Sequence, residues 1–176
     1  MKDQKLTVII GTHRPNSNSE MVAQHYLNEL KKLEVDFSVL FLKDLPADFL
    51  FTEMFGSRTA TFETIIETYI VPATKFVFII PEYNGGFPGI LKSFIDCVPP
   101  VHFQGKKAGL IGLSSGAAGA LRPMDQFTNV LNYLKVTVLY LKPKLSGIDR
   151  ILVNGVLKDE FAKNALAEHA TLMSDF

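Results

Sequence analysis

An α/β fold on a parallel sheet is what this 176-residue sequence predicts, and three observations predict it. Short apolar runs alternate with longer stretches whose apolar residues recur at helical spacing, the pattern of strands and helices in turn. The runs are continuous rather than alternating, as in strands covered on both faces. Hydrophobic residues make up 47% of the chain and charged residues 20%, enough for a real core and too apolar for disorder. The length suits one domain over residues 1–176.

Leu6–Ile10 reads as the first buried strand. Over Ser19–Leu33, the residues Met21, Val22, Ala23, Tyr26, Leu27, Leu30 and Leu33 form one helical face, with Ser19 as its N-cap. Phe37–Leu42 is a second strand. A shorter helix, Thr61–Val71, places Phe62, Ile65, Ile66 and Tyr69 on one side and stops at Pro72. Phe76–Ile80 is a third strand, and Pro88–Val98 a helix with proline in its first turn. Lys107–Leu113 is the fourth strand, Arg122–Leu134 a helix, Thr137–Leu141 the fifth strand and Asp159–Met173 the last helix. Five strands in so small a domain match the flavodoxin-like order 2-1-3-4-5, a three-layer sandwich, although alternation alone does not impose that order. Such sheets bind ligands beyond the carboxyl ends of their strands, at the switch between strands 1 and 3. The loops after strands 1, 3 and 4 are therefore the places to look.

Composition narrows the function classes. Eighteen Lys/Arg balance eighteen Asp/Glu, so no global charge attracts nucleic acid or an anionic membrane. Cys97 is the only cysteine, which excludes a disulfide framework within the chain. It is expected to be a small buried hydrophobe rather than a reactive thiol. The first apolar run is five residues long, shorter than a signal peptide or a membrane span needs, so the cytoplasm is the expected compartment. His25 and His169 fall in helices, His102 is isolated, and no spacing suggests a metal site.

The loop Gly11-Thr12-His13-Arg14-Pro15-Asn16-Ser17-Asn18-Ser19 carries three hydroxyls, two amides and one guanidinium, and a helix follows it. Free N–H groups at a helix start, hydroxyls and a guanidinium suit a phosphate dianion. A polar loop that merely caps the helix fits the same residues. It is neither a Walker loop nor a G-x-G-x-x-G fingerprint. In Pro81-Glu82-Tyr83-Asn84-Gly85-Gly86-Phe87-Pro88-Gly89, Asn84-Gly85 signals a turn, and Tyr83 and Phe87 offer faces on which a planar ring could stack. The plainer reading is a tight strand-to-helix turn. Ser114-Ser115-Gly116-Ala117-Ala118-Gly119-Ala120 has only small side chains, so backbone can approach a ligand closely, or the segment is a flexible connection. Gly112-Leu113-Ser114-Ser115-Gly116 also matches the G-x-S-x-G elbow of serine hydrolases, with Asp125, Asp149, Asp159 and His169 following in order. Against that reading, His169 falls inside an amphipathic helix, and no His-Gly-Gly motif follows strand 3.

Pro81-Glu82-Tyr83-Asn84-Gly85, then Pro88-Gly89-Ile90-Leu91-Lys92 and Ile95-Asp96, resembles the signature P-E-Y-N-G-x-x-P-G-x-L-K-x-x-I-D of the NADPH-dependent FMN reductase family, which includes azo, quinone and chromate reductases. Gly11 through Ser19 resembles that family's phosphate loop, and Ser114 through Arg122 its Gly-rich third flavin loop. Asn154 through Asp159 resembles the turn before its last helix. There are departures. Cys97 stands where a tryptophan is common, Gly119-Ala120 replaces Gly-Gly, and Pro46 to Arg58 lacks the usual prolines and carries Phe49, Leu50, Phe51, Met54 and Phe55 instead.

The resemblance implies that Thr12, Arg14, Ser17, Asn18 and Ser19 hold the phosphate of FMN. It places Pro81, Glu82, Tyr83, Asn84 and Gly85 along the isoalloxazine, with Ser114 and Gly116 closing the other side. It implies hydride transfer from NAD(P)H to the flavin and on to a small-molecule acceptor such as a quinone, an azo compound or free flavin, with no catalytic side chain. It further implies a homodimer or tetramer, for which the Phe49–Phe55 segment is a candidate interface, core packing being the alternative. Residues 99–150 hold seven Lys/Arg against two Asp/Glu, a local excess that would suit NADPH phosphates or simply face solvent. Three other readings are an electron carrier of the flavodoxin type that never meets NAD(P)H, a serine hydrolase using Ser114, and a non-catalytic flavodoxin-like interaction module. Carriers of that type are strongly acidic and this chain is neutral.

Overall fold

The computed structural model describes residues 5–55 and 58–176. Parallel strands β1 (Leu6–Ile10), β2 (Phe37–Phe41), β3 (Lys75–Pro81), β4 (Lys107–Ser114) and β5 (Thr137–Val138) run in the order β2-β1-β3-β4-β5. The expected order is thus observed, with the switch between β1 and β3. Helices α1 (Asn18–Lys32) and α7 (Glu160–Asp175) cover one face. Helices α2 (Phe49–Thr52), α3 (Ala60–Ile65), α4 (Gly89–Cys97) and α5 (Leu121–Tyr133) cover the other.

Side chains of successive strand residues point to opposite faces, and this divides the core in two. In β3, Phe76, Phe78 and Ile80 face one side while Val77 and Ile79 face the other. The first side is rich in phenylalanine. Phe78 meets Phe127 edge-on at 4.9 Å, and Phe62 joins Phe49 and Phe94. The second side is aliphatic except for Tyr26, whose hydroxyl pairs with His169 Nδ1 at 2.9 Å. Cys97 is fully buried, as expected, and burial pushes its thiol up to about 11, aided by the Asp96 and Glu53 carboxylates.

Three elements differ from expectation. The cap of α1 is Ser17, not Ser19: Ser17 Oγ accepts from the Glu20 N–H at 3.2 Å. The spacing Ser17-x-x-Glu20 is the capping-box signal, and it outranks the later serine. The helix expected over Thr61–Val71 runs as α3 and then widens, with the Val71 N–H reaching the Ile66 carbonyl five residues back. The fifth strand is interrupted. Val138 lies opposite Ala108, but the next paired residue, Lys144, lies opposite Gly112. Two extra residues therefore bulge from the edge, leaving Tyr140 exposed, before β6 (Lys144–Ser146) resumes the ladder beside β4. Beyond it come α6 (Ile148–Ile151) and a hairpin of β7 (Leu152–Val153) and β8 (Val156–Leu157), turned by Asn154-Gly155 at positive φ. His25 of α1 accepts the Leu157 N–H at 2.9 Å and pins that hairpin to the helix.

In the Phe49–Phe55 segment the expected core packing holds for Phe49 alone among its three phenylalanines. Phe49 is buried on Phe62, whereas Phe51 and Phe55 are 89% and 96% exposed. Burial of the Glu53 carboxyl raises its pKa, but the Thr59 N–H and the Thr52 and Thr59 hydroxyls bond to it and bring the net shift downward. Those bonds fasten the segment to the start of α3. Arg58 closes it from the other side by donating to the Cys97 carbonyl at 2.7 Å.

Candidate functional site

The loops after β1, β3 and β4 converge at the carboxyl end of the sheet and enclose two adjoining clefts. One, of about 280 Å³, is walled by Arg14, Asn16, Ser17, Asn18 and Ser19 on one side and by Glu82, Tyr83 and Ser114 on the other. The second, of about 430 Å³, lies between Asn84-Gly85 and Ser115–Ala118, with Arg122 at its rim. Glu82, Ser114 and Ser115 line both.

At the first cleft the chain leaves β1 through Gly11, whose N–H bonds to the Ile79 carbonyl at 2.9 Å. A Cβ there would lie 3.0 Å from that oxygen and 3.2 Å from the Leu91 side chain, so glycine lets the two backbones pack without either neighbour giving way. The loop then turns at Asn16, held at φ 51°, and enters α1 through the Ser17 cap. The cleft therefore lies at the start of α1, where unpaired N–H groups and the positive end of the helix dipole gather. Ser19 is fully buried, and its hydroxyl has no partner among the described residues. An orphaned buried hydroxyl costs about 1–3 kcal/mol, so a ligand oxygen in the cleft would complete it.

Thr12 takes a different place from its neighbours. It is 2% exposed, its hydroxyl lies 2.6 Å from the Tyr83 hydroxyl, and it accepts the Arg14 N–H at 3.2 Å. It ties the first loop to the second rather than lining the cleft. Tyr83 does line the cleft, while Phe87 packs edge-on against Phe127 at 5.2 Å and belongs to the core. Asn84 and Gly85, at φ 51° and 81°, make a two-residue turn closed by reciprocal bonds between Tyr83 and Gly86. Such a turn leaves the N–H groups of its two central residues free to face a ligand.

The third loop is shaped by close packing. Gly119, at φ 58°, sits so near Lys144 and Ser146 that a Cβ would fall 2.9 Å from Lys144 Cβ and 2.6 Å from Ser146 Oγ. The Gly147 N–H bonds to the Gly116 carbonyl at 3.1 Å. Around Gly116 itself there is open space. Ser114 Oγ donates to the Gly116 carbonyl at 3.1 Å.

That geometry excludes a Ser114 triad. His169 is buried beside Gly109, five residues before Ser114 along β4, a separation of roughly 16 Å at strand rise. Its Nδ1 pairs with Tyr26, and burial lowers its pKa to about 3. Asp159 caps α7, and Asp149 accepts from Asn18.

The expected flavin-site residues do not include those that α6 contributes, and Asp149 figures in the sequence only as an acid of the hydrolase reading. Ile148 and Asp149 of α6 reach the first cleft, and Asn18 Nδ2 donates to Asp149 Oδ1 at 3.1 Å. They follow the interrupted fifth strand, and no local motif announces where that interruption delivers them.

A sequence model of the NADPH-dependent FMN reductase family matches residues 4–141. A 2-hydroxy-1,4-benzoquinone reductase from a Burkholderia species is 27% identical over 171 residues, covering 92% of this chain and 90% of that protein. An FMN-dependent NADPH-azoreductase from Staphylococcus aureus is 26% identical over 115 residues, covering 62% of this chain and 60% of its own length. Among solved structures, the flavoenzyme NAD(P)H:(acceptor) oxidoreductase FerB from Paracoccus denitrificans superposes with a TM-score of 0.75 at 21% identity, covering 98% of both chains.

Proposed function

The chain belongs to the NADPH-dependent FMN reductase family, and we propose that residues 1–176 form one flavin-binding unit whose two adjoining clefts hold a single FMN. The observation that carries the placement is the buried, unpartnered Ser19 hydroxyl beside the start of α1, where a phosphate oxygen would be its partner. Arg14, Ser17, Asn18 and Ser19 hold the phosphate, with Thr12 acting through Arg14 and Tyr83. Pro81, Glu82, Tyr83, Asn84 and Gly85 line the ring, and the free N–H groups of the Asn84-Gly85 turn meet its polar edge. Ser114 and Gly116 border the opposite side, where small side chains leave a face open to a second planar molecule.

The chemistry that FMN would supply when bound is redox: a hydride taken from NAD(P)H and electrons delivered to a small acceptor. The protein's part is to fix the ring and leave room for one partner at a time. It needs no nucleophile, and Ser114 is occupied with its own loop. Quinones and azo compounds are the proposed acceptors, supported by the two related reductases. The same reading extends to a cytoplasmic homodimer or tetramer, supported by the exposed Phe51 and Phe55, apolar area that a second copy would cover. Among the described residues no helix is long and apolar enough to cross a membrane.

Spectra test the reading directly. The purified protein is expected to be yellow, to release FMN on heating, and to bleach when NADPH is added without oxygen. Recovery of FAD, or of no flavin after reconstitution, refutes the site assignment. A yellow protein that NADPH does not bleach is an electron carrier instead.

A further inference from the structure

We infer that Asp149 sets how firmly the first cleft retains a phosphate: its carboxylate opposes the anion that Arg14 attracts, and so keeps the flavin exchangeable. This rests on the FMN reading above. Asp149 sits in α6, the short helix delivered to the cleft by the interrupted edge strand, and lines the same walls as Arg14, Asn16, Ser17, Asn18 and Ser19.

Among the described residues, its one hydrogen bond to a side chain is from a neutral amide. Asn18 Nδ2 donates to Asp149 Oδ1 at 3.1 Å, and the carboxylate fixes that orientation, because the amide oxygen would be repelled there. One of the two Asn18 donors is thereby spent on the protein. The negative charge stays, facing a cleft whose other charged walls are Arg14 and Glu82. Glu82 has the Arg122 guanidinium 3.8 Å away, whereas the bond to Asn18 brings Asp149 no opposite charge. A site built only for retention would place an uncharged acceptor at 149. It would keep the bond to Asn18 and remove the repulsion. Across a solvent-filled cleft, at a water-like dielectric, a carboxylate several ångströms from a dianion changes a dissociation constant by roughly 5- to 50-fold. The consequence is functional. A flavin that leaves on the timescale of turnover can itself be the reduced product, so the charge at 149 would bear on how well free flavin, already among the expected acceptors, serves as one.

The test is Asp149→Asn in the full-length chain stripped of flavin, titrated with FMN and with riboflavin, which lacks the phosphate. The variant is expected to bind FMN roughly 5- to 50-fold more tightly than wild type and to release it more slowly on dilution. Riboflavin affinity should stay the same, and the gain should shrink as salt is raised. Asp149→Ser, with a wild-type thermal melt, provides a second uncharged variant and should show the same selective gain. Unchanged FMN affinity in both variants overturns the inference. So does a loss shared by FMN and riboflavin, which would make the carboxylate an acceptor for a ribityl hydroxyl. Those outcomes leave the flavin site standing, whereas a wild type that binds neither flavin defeats the site and the inference together.

Discussion

At the Arg14 end of the paired clefts the walls are side chains, and at the other end they are backbone and methyl groups. The first end arranges Arg14, Ser17, Asn18 and Ser19 around the start of a 15-residue helix, with Ser19 buried and unpaired. The second arranges the Asn84-Gly85 turn opposite Gly116, Ala117 and Ala118. A compact charged group needs converging donors, so truncating a side chain should damage the first end. A flat ring needs room, so adding atoms should damage the second.

The largest effect expected is at the second end. Gly119→Ala forces a side chain into the left-handed region and against Lys144, at a cost of about 2–4 kcal/mol in unfolding free energy. Gly116→Ala, in open space, should stay within about 0.5 kcal/mol of wild type. Urea unfolding of the two proteins checks the contrast, and equal losses would show that the third loop is not held by its packing on β6.

Arg14→Ala should act on the ligand and leave stability alone. Loss of one charged hydrogen bond, about 1.5–3 kcal/mol, raises the FMN dissociation constant roughly 10- to 150-fold. Riboflavin should be almost unaffected, and equal weakening of both would move the phosphate away from Arg14. The difference between the two ligands is the informative quantity.

A third experiment loosens the helix beneath the first end. Tyr26 of α1 and His169 of α7 are paired in the core, and burial holds the imidazole neutral with a pKa near 3 rather than its usual 6.5. The unfolded chain therefore binds a proton that the folded one refuses. This contribution to stability is complete above pH 6.5 and is lost as pH falls towards 3, by up to about 1.4 kcal/mol per pH unit. Comparing wild type with His169→Gln in urea between pH 7 and 4.5 isolates it, since shared carboxylates cancel. Identical slopes would mean that His169 takes up its proton without unfolding.

Ser114→Ala is the mildest change. It removes one bond within the third loop, about 0.5–1.5 kcal/mol, and should leave NAD(P)H-dependent quinone reduction largely intact. Ester hydrolysis should be absent before and after the substitution. Ester turnover that disappears with Ser114 would make this end a nucleophile's pocket after all.

The sequence by itself determined the parallel sheet, the three loops and the family. Each of these is local. An apolar run, a 3.6-residue period, an Asn-Gly turn and a P-E-Y-N-G segment are complete within a few neighbours, whatever the rest of the chain does. The cap of α1 is as local, since the Ser17-x-x-Glu20 spacing marks it, although the cap was expected at Ser19. Only the tertiary structure decided that Thr12 bonds to Tyr83 across 71 residues, and that Phe87 turns to Phe127 and away from the cleft. It alone decided that the edge strand skips two residues after Val138 and so brings Asp149 to Asn18, 131 residues earlier. Contacts between distant residues depend on strand register and on which side chains fill the space between elements. A bulge that shifts register by two residues leaves hydrophobic periodicity almost unchanged, yet it decides which charge faces the ligand.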